Sequence, residues 1–359
     1  VGVFERIGAD DYEQVVFCHD RPSGLRAVVA VHSTRLGPAL GGTRFYPYAS
    51  EDAALDDVLR LARAMTYKAA VSGLDLGGGK AVILGDPSRD KSEALLRAYA
   101  RHLEALAGRY YTAEDVGTTQ DDMDLIRRET RYVTGVSREL GGSGDPSVAT
   151  AYGVLWAMKA VAQRLWGDTS LQGRHVAVAG VGKVGAALLG HLVEAGVRLT
   201  VADVNPASVE GAVAASGAEA VAVEKVHAVD CDIYSPCAMG GALNAGTIAE
   251  LRCAAVVGSA NNQLADGLAS ARLLADAGVL YAPDFVANAG GLINIAEELV
   301  PGGYRPERAA AAVRRIFDTM TSVLQAAEED GVTTAEAAER RAEDRIAALS
   351  AVHLIRTRD

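Results

Sequence analysis

His175-Val-Ala-Val-Ala179 runs straight into Gly180-Val181-Gly182-Lys183-Val184-Gly185, and a helix-patterned stretch follows to about residue 195. A short, wholly apolar run closed by a glycine turn reads as a strand buried on both faces, the kind found in parallel sheets. The pattern G-x-G-x-x-G is weak by itself, but between a strand and a helix it has the context that dinucleotide binding requires. Gly180 supplies the tight turn, Gly182 lets the backbone approach a pyrophosphate, and Gly185 lets helix and strand pack closely. The helix opening at Lys183 and Val184 offers its unpaired N–H groups, with that of Val181, to the phosphates. A second strand over 198–202 ends at Asp203, about 20 residues after the first glycine, where a carboxylate accepts ribose hydroxyls and repels a 2′-phosphate. NAD is therefore expected rather than NADP, although Lys183 could also meet a phosphate.

Working outward, short apolar runs at 232–235, 254–258 and 279–282 alternate with helical patterns, as in a doubly wound parallel sheet. Upstream, Gly141-Gly142-Ser143-Gly144-Asp145-Pro146 reads as a linker, followed by a helix over 147–165. The first third reads as mixed α/β, with strands at 25–32, 81–84 and 109–113 and helices at 51–65 and 91–107. The expected fold is α/β with two domains. An N-terminal mixed α/β domain (1–140) carries substrate binding and oligomerisation, and a Rossmann-type doubly wound domain (145–325) binds the nucleotide. A helix over 326–359 then packs back on the domain junction.

Bulk properties narrow the function classes. The 359 residues suit two domains, and 49% hydrophobic with 23% charged residues is a globular composition. A net charge of −11 argues against a nucleic-acid partner. No apolar run reaches a membrane-span length, and the opening residues do not read as a secretory leader, so no membrane role is expected. The four cysteines show no C-x-x-C spacing, which fits free thiols in the cytoplasm. The histidines form no H-x-x-x-H pair, so no metal site is expected.

Two lysines stand in unusual places: Lys68 after the helix at 51–65, and Lys80 behind Gly77-Gly78-Gly79, whose backbone is open to close approach. Oxidising an amino acid requires a cation to hold its α-carboxylate and a base that is neutral near working pH. A lysine serves as the cation directly. A second lysine serves as base where burial or a like charge lowers its proton affinity, and Lys68 and Lys80 in one cleft would supply that neighbour. Asp115, after the strand at 109–113, could relay protons to and from the nitrogen. Each has an ordinary alternative: a lysine at a helix end is usually solvated, and an aspartate after a strand is usually a turn residue.

Leu36-Gly-Pro-Ala-Leu-Gly-Gly-Thr43, Met65-Thr-Tyr-Lys68, Leu76-Gly-Gly-Gly-Lys80 and Thr112-Ala-Glu-Asp-Val-Gly-Thr118 together resemble the amino acid dehydrogenases. So do Pro236-Cys-Ala-Met-Gly-Gly241, Gly258-Ser-Ala-Asn-Asn-Gln263 and Pro283-Asp-Phe-Val-Ala-Asn-Ala-Gly-Gly291. The resemblance is to the leucine/valine/phenylalanine branch of the glutamate dehydrogenase superfamily, over nearly the whole chain. It implies that Lys68 binds the substrate carboxylate, Lys80 is the general base and Asp115 the proton-transfer partner. It further implies that Gly41 and Gly42 contact substrate, that Asn262 touches both nicotinamide and substrate, and that Thr150, Cys237 and Ala238 line the cofactor cleft. Homo-oligomers are implied as well.

The implied side-chain pocket is Leu40, Ala113, Leu292 and Ile295. An apolar wall would leave the second carboxylate of glutamate desolvated and unpaired, so leucine, valine or isoleucine is expected. The expected reaction is NAD-dependent oxidative deamination to a 2-oxo acid and ammonia, in a cleft between the domains. Phenylalanine as substrate, a hydroxy-acid dehydrogenase and a non-catalytic NAD sensor are the alternatives. A difference of one methylene is worth only ~1–3 kcal/mol of discrimination, so leucine and valine stay unseparated.

Overall fold

In the computed structural model, which describes residues 2–351, the strand at 175–179 and its neighbours build one sheet and the N-terminal third builds another. The chain divides into two units. Among the described residues the first takes in 2–145, 295–306 and 342–351, and the second 146–294 and 307–341.

In the first unit the order is α1 (Val3–Ala9), β1 (Gln14–Asp20), β2 (Leu25–Ser33), β3 (Ala39–Tyr46), α2 (Glu51–Val71), β4 (Gly77–Leu84), α3 (Glu93–Glu104), β5 (Tyr110–Glu114) and α4 (Gln120–Ile126). The sheet order is β1-β2-β4-β3-β5, with β2 antiparallel to β1 and β4, and β3 parallel to β4 and β5. Alternation along β2 serves two cores. Val29 and Val31 pack with Leu95, Tyr99 and Leu103 of α3, while Val28 and Ala30 meet Leu55, Val58 and Ala62 of α2.

Two expectations are corrected here. Helix α2, capped where Ser50 Oγ accepts the Ala53 N–H at 3.1 Å, continues to Val71. Lys68 therefore lies in its last turn, not beyond it, because Thr66, Ala69 and Ala70 are buried and prolong the packed face. The glycine run is part of strand β4 rather than a loop ahead of it. A Cβ on Gly78 would lie 2.1 Å from the Thr66 nitrogen, and one on Gly79 would lie 2.7 Å from the Tyr110 ring. The close approach that these glycines permit is taken up by the protein's own helix and strand.

The second unit contains α5 (Ser147–Trp166), β6 (His175–Ala179), α6 (Lys183–Glu194), β7 (Arg198–Ala202), α7 (Pro206–Ser216), β8 (Glu219–Ala220), β9 (Ile233–Pro236), α8 (Ala245–Glu250), β10 (Ala255–Val256), α9 (Leu268–Asp276), β11 (Leu280–Tyr281) and α10 (Asp284–Ala287). In chain order then follow α11 (Gly290–Ala296), whose last two residues belong to the first unit, α12 (Pro306–Arg314), α13 (Ile316–Asp330) and α14 (Thr334–Ser350), which belongs to the first unit from residue 342. The strands are parallel, in the order β11-β10-β9-β6-β7-β8. The winding reverses between β6 and β9, which makes their C-terminal ends the switch point where doubly wound sheets bind ligands.

The helix expected from residue 326 is two helices. Gly331, at φ 63°, takes the left-handed conformation that ends α13, and α14 starts afresh at Thr334. The tail from 352 lies outside the described residues. Residues 295–306, expected in the nucleotide domain, belong to the first unit. There the Glu298 carboxylate accepts the N–H groups of Gly135 and Ser143, both at 2.9 Å. Among the described residues no helix is long and apolar enough to cross a membrane.

Candidate active site

Strand β4 puts Gly78, Lys80 and Val82 on the face covered by α2, since residues two apart share a face. The Lys80 side chain is only 5% exposed, and its Nζ donates to Oδ2 of Asp115, which follows the end of β5. A buried ammonium needs such a partner, because an isolated charge there is strongly penalised. Burial pushes the Asp115 carboxyl up, but the charges of Lys80 and Arg44 outweigh it and hold the group at about 2. Arg44 Nε reaches Oδ1 at 3.1 Å, and the Val116 N–H donates to the same oxygen at 2.7 Å.

Gly41 and Gly42 on β3 close around this pair. A Cβ on Gly42 would stand 2.5 Å from the Glu114 carbonyl oxygen and 2.9 Å from Asp115 Cβ. A Cβ on Gly41 would stand 1.9 Å from the Gly79 oxygen and 3.2 Å from Met65 Cγ. Met65 and Lys68 are three apart on α2 and so share a helix face. Leu40 and Ala113 are buried in β3 and β5, in register with Gly78 and Gly42 respectively, on the Lys80 side of the sheet. Lys80, Asp115, Gly41, Gly42, Leu40 and Ala113 are thus brought together within one unit, with Lys68 on the helix that covers them. Ile295 belongs to this unit too, beside Gly135, while Leu292 is buried in the second unit.

In the second unit the nucleotide loop follows β6. Gly180, at φ 99°, sits so close to Ala238 that a Cβ would come within 2.6 Å of the alanine methyl. A Cβ on Gly185 would lie 2.1 Å from the Gly180 oxygen, and Cys237 Cβ is the next side-chain neighbour. Gly182 has nothing within 4 Å of its would-be Cβ, and it is the residue before α6. An open glycine at a helix N-terminus, at the switch point, fits a dinucleotide pyrophosphate. Exposed Lys183 and half-buried Val184 open the helix behind it.

Asp203 is already engaged. Its Oδ2 accepts the Val181 N–H and its Oδ1 the Asn205 N–H, each at 2.8 Å. A carboxylate has about four acceptor sites, so lone pairs remain for a hydroxyl, and the same residue shapes the glycine loop. Asn262 follows β10 in a left-handed conformation, φ 52°, and its carbonyl accepts the Gly241 N–H at 2.8 Å, which joins it to the loop after Cys237 and Ala238. Thr150 is turned back on its own helix, its hydroxyl donating to Pro146 O at 3.0 Å, with Gly291 packed against that oxygen.

Sequence reading missed Arg44, Asp57 and Tyr48. Arg44 Nη1 donates to Asp57 Oδ2 at 2.9 Å, and Tyr48 donates to the same oxygen at 2.7 Å. The signal was available: Leu40, Gly42 and Arg44 alternate along one face once residues 39–46 are read as a strand.

The chain matches the family model described as Glu/Leu/Phe/Val dehydrogenase, dimerisation domain, over residues 12–132. It also matches the model for Glutamate/Leucine/Phenylalanine/Valine dehydrogenase over 141–207 and 198–353. The chain belongs to this dehydrogenase family. It is similar to leucine dehydrogenase of Bacillus cereus, 52% identical over 347 residues that cover 97% of this chain and 94% of that protein. It is 53% identical to valine dehydrogenase of Streptomyces coelicolor over 340 residues, 94% of this chain and 92% of the relative. The crystal structure of L-tryptophan dehydrogenase from Nostoc punctiforme superposes with a TM-score of 0.84 at 43% identity, covering 97% and 99% of the two chains. The two-domain α/β fold is the one expected, the chain stands on the leucine/valine branch of the family, and dehydrogenases of this family use a pyridine nucleotide.

Proposed function

We propose that this chain catalyses the NAD-dependent, reversible oxidative deamination of a branched aliphatic L-amino acid to its 2-oxo acid and ammonia. The observation that carries the chemistry is the buried Lys80–Asp115 pair beside the Gly41-Gly42 backbone, under the helix that bears Lys68. Leucine and valine dehydrogenases at 52% and 53% identity support the branched substrate class. So does the wall itself: Leu40 and Ala113 are buried and apolar, and a second carboxylate against them would be desolvated without a partner.

Gly180, Gly182 and the N–H groups at the start of α6 would hold the pyrophosphate, Asp203 the ribose, and Asn262, Thr150, Cys237 and Ala238 the rest of the dinucleotide. Bound NAD supplies the acceptor for the hydride that leaves the substrate Cα. Lys68 holds the α-carboxylate as a point charge. Asp115 takes a proton from the substrate ammonium, whose N–H electron pair stays on nitrogen. Lys80, in its uncharged form, takes a proton from water while the water oxygen bonds to Cα and the C=N π pair moves onto nitrogen. The proton held by Asp115 then returns to that nitrogen, and the C–N bond breaks with its electron pair leaving on ammonia. The hydroxyl proton passes to the departing ammonia as the C=O bond forms, and Lys80 releases its proton to solvent. Ile295, in the same unit as Leu40 and Ala113, would extend the side-chain wall.

The free thiols Cys18, Cys231, Cys237 and Cys253 fit a cytoplasmic enzyme. A homo-oligomer is supported by the dimerisation description of the N-terminal family model and by β1, which lies at the sheet edge with Phe17 exposed. The test is NADH consumption with ammonia and a panel of 2-oxo acids, comparing kcat/KM for the keto acids of valine, leucine, isoleucine, phenylalanine and glutamate. Branched aliphatic acids should lead and the glutamate analogue should trail. A best rate with 2-oxoglutarate, or turnover without ammonia, rules the reading out.

A further inference from the structure

Arg44 has no place in the scheme above, yet it holds half of the Asp115 carboxylate. Its Nε bonds Oδ1 at 3.1 Å while Lys80 takes Oδ2. Its Nη1 bonds Asp57 on α2 at 2.9 Å, and Asp57 is itself fixed by Tyr48 at 2.7 Å and Arg60 at 2.6 Å. The chain of contacts is mostly shielded, with Arg44 24% exposed, Asp57 15% and Asp115 19%. Exposed ion pairs contribute little, but a part-buried guanidinium with carboxylates on two of its nitrogens is a rigid fork.

We infer that Arg44 is a positioning residue for Asp115: it pins Oδ1 to strand β3 and leaves Oδ2 as the oxygen that serves Lys80 and the substrate nitrogen. Asp57 holds the guanidinium in that pose. Without the fork, only the Val116 N–H would hold Oδ1, and the carboxylate could rotate and turn both oxygens on Lys80, taking the acceptor away from the substrate. The charged and titratable groups around Asp115 are Lys80 from β4, Arg44 from β3, buried Tyr110 from β5, and Asp57 and Arg60 from α2, with Tyr48 beyond Asp57. Lys68 lies about three turns further along that helix. Arg44 thus has two separable effects, one of geometry and one of charge. This inference rests on the amino acid dehydrogenase reading.

Arg44→Met, Arg44→Lys and Asp57→Asn separate the two effects in steady-state deamination across pH. Arg44→Met removes geometry and charge, so kcat should fall roughly 10–100-fold, with KM for NAD unchanged. Losing a cation raises proton affinities nearby, so the ascending limb of its pH–rate profile should move up by about one unit. Arg44→Lys keeps the charge, so kcat should fall while the limb stays in place. Asp57→Asn should lower kcat by a smaller factor. An active wild type whose pH profile superimposes on that of Arg44→Met overturns the positioning role. Should Arg44→Met fail to fold, wild-type kinetics in both Arg44→Lys and Asp57→Asn overturn it equally. A wild type that consumes no NADH with any branched 2-oxo acid and ammonia overturns the underlying reading as well, a failure recognisable because it appears before any substitution is made.

Discussion

At the scale of single residues, the proposed chemistry rests on a buried lysine whose carboxylate partner is itself shared with Arg44. Lys80→Ala removes the proposed base without opening the nucleotide loop, so turnover should drop about 10²–10⁴-fold while NADH binding, followed by fluorescence, is retained. Near-normal turnover would remove Lys80 from the scheme. Asp115 makes a second prediction through its ionisation. Its folded pKa is depressed to about 2, so the stability that its ionised form contributes is present above the unfolded value near pH 4 and is lost as pH falls towards 2. The shift corresponds to roughly 2 kcal/mol. Melting temperatures of wild type and Asp115→Asn should therefore differ at pH 6, and the gap should have narrowed by pH 3. A gap that holds constant over that range would show that the carboxylate is not kept low. Lys80 and Asp115 could be named from sequence because glycines and a strand end frame them. Arg44 becomes legible only once residues 39–46 are read as a strand, since until its face is known it looks like any solvated arginine.

At the scale of elements, the two glycines flanking the first turn of α6 have opposite physical roles. Gly185 has backbone 2.1 Å from its would-be Cβ, whereas Gly182 has open space. Gly185→Ala should therefore destabilise the fold by roughly 1–3 kcal/mol of overpacking. Gly182→Ala should leave the melting temperature unchanged but weaken NADH about tenfold or more, since the methyl would occupy the space needed by the pyrophosphate. The opposite pattern, with Gly182→Ala unstable and binding normally, would mean that the loop does not approach a phosphate. The contrast also explains what was legible. Strands β6 and β7 read cleanly because continuous apolar runs flank a glycine turn. Strand β3 did not, since Gly41 and Gly42 are poor strand formers and only their close packing between β4 and β5 makes the conformation favourable. The length of α2 was underestimated for a related reason: Thr66 looks like a helix end, and only its burial against Gly78 keeps the helix going.

At the scale of the whole molecule, the chain builds two units, each from a sheet with its own helices, and the residues proposed for chemistry and for nucleotide recognition fall in different ones. The alternation of strands and helices made the second core readable. The return of residues 295–306 to the first unit was not, because nothing in that stretch advertises that Glu298 will bind the amides of Gly135 and Ser143. This division has a thermodynamic consequence. A ligand that binds only the folded state stabilises it by RT ln(1 + [L]/Kd), about 2.7 kcal/mol at a hundredfold excess over Kd. NADH contacts proposed for the second unit do not involve Lys80, so wild type and Lys80→Ala should gain the same rise in melting temperature when NADH is added. Gly182→Ala at the same NADH concentration should gain measurably less, although its melting temperature without nucleotide matches wild type. The comparison needs no turnover, and it isolates binding from chemistry. If Lys80→Ala lost the NADH-induced rise while Gly182→Ala kept it, nucleotide recognition would have to be assigned to the lysine-bearing unit, and the glycine loop after β6 would be left without a ligand.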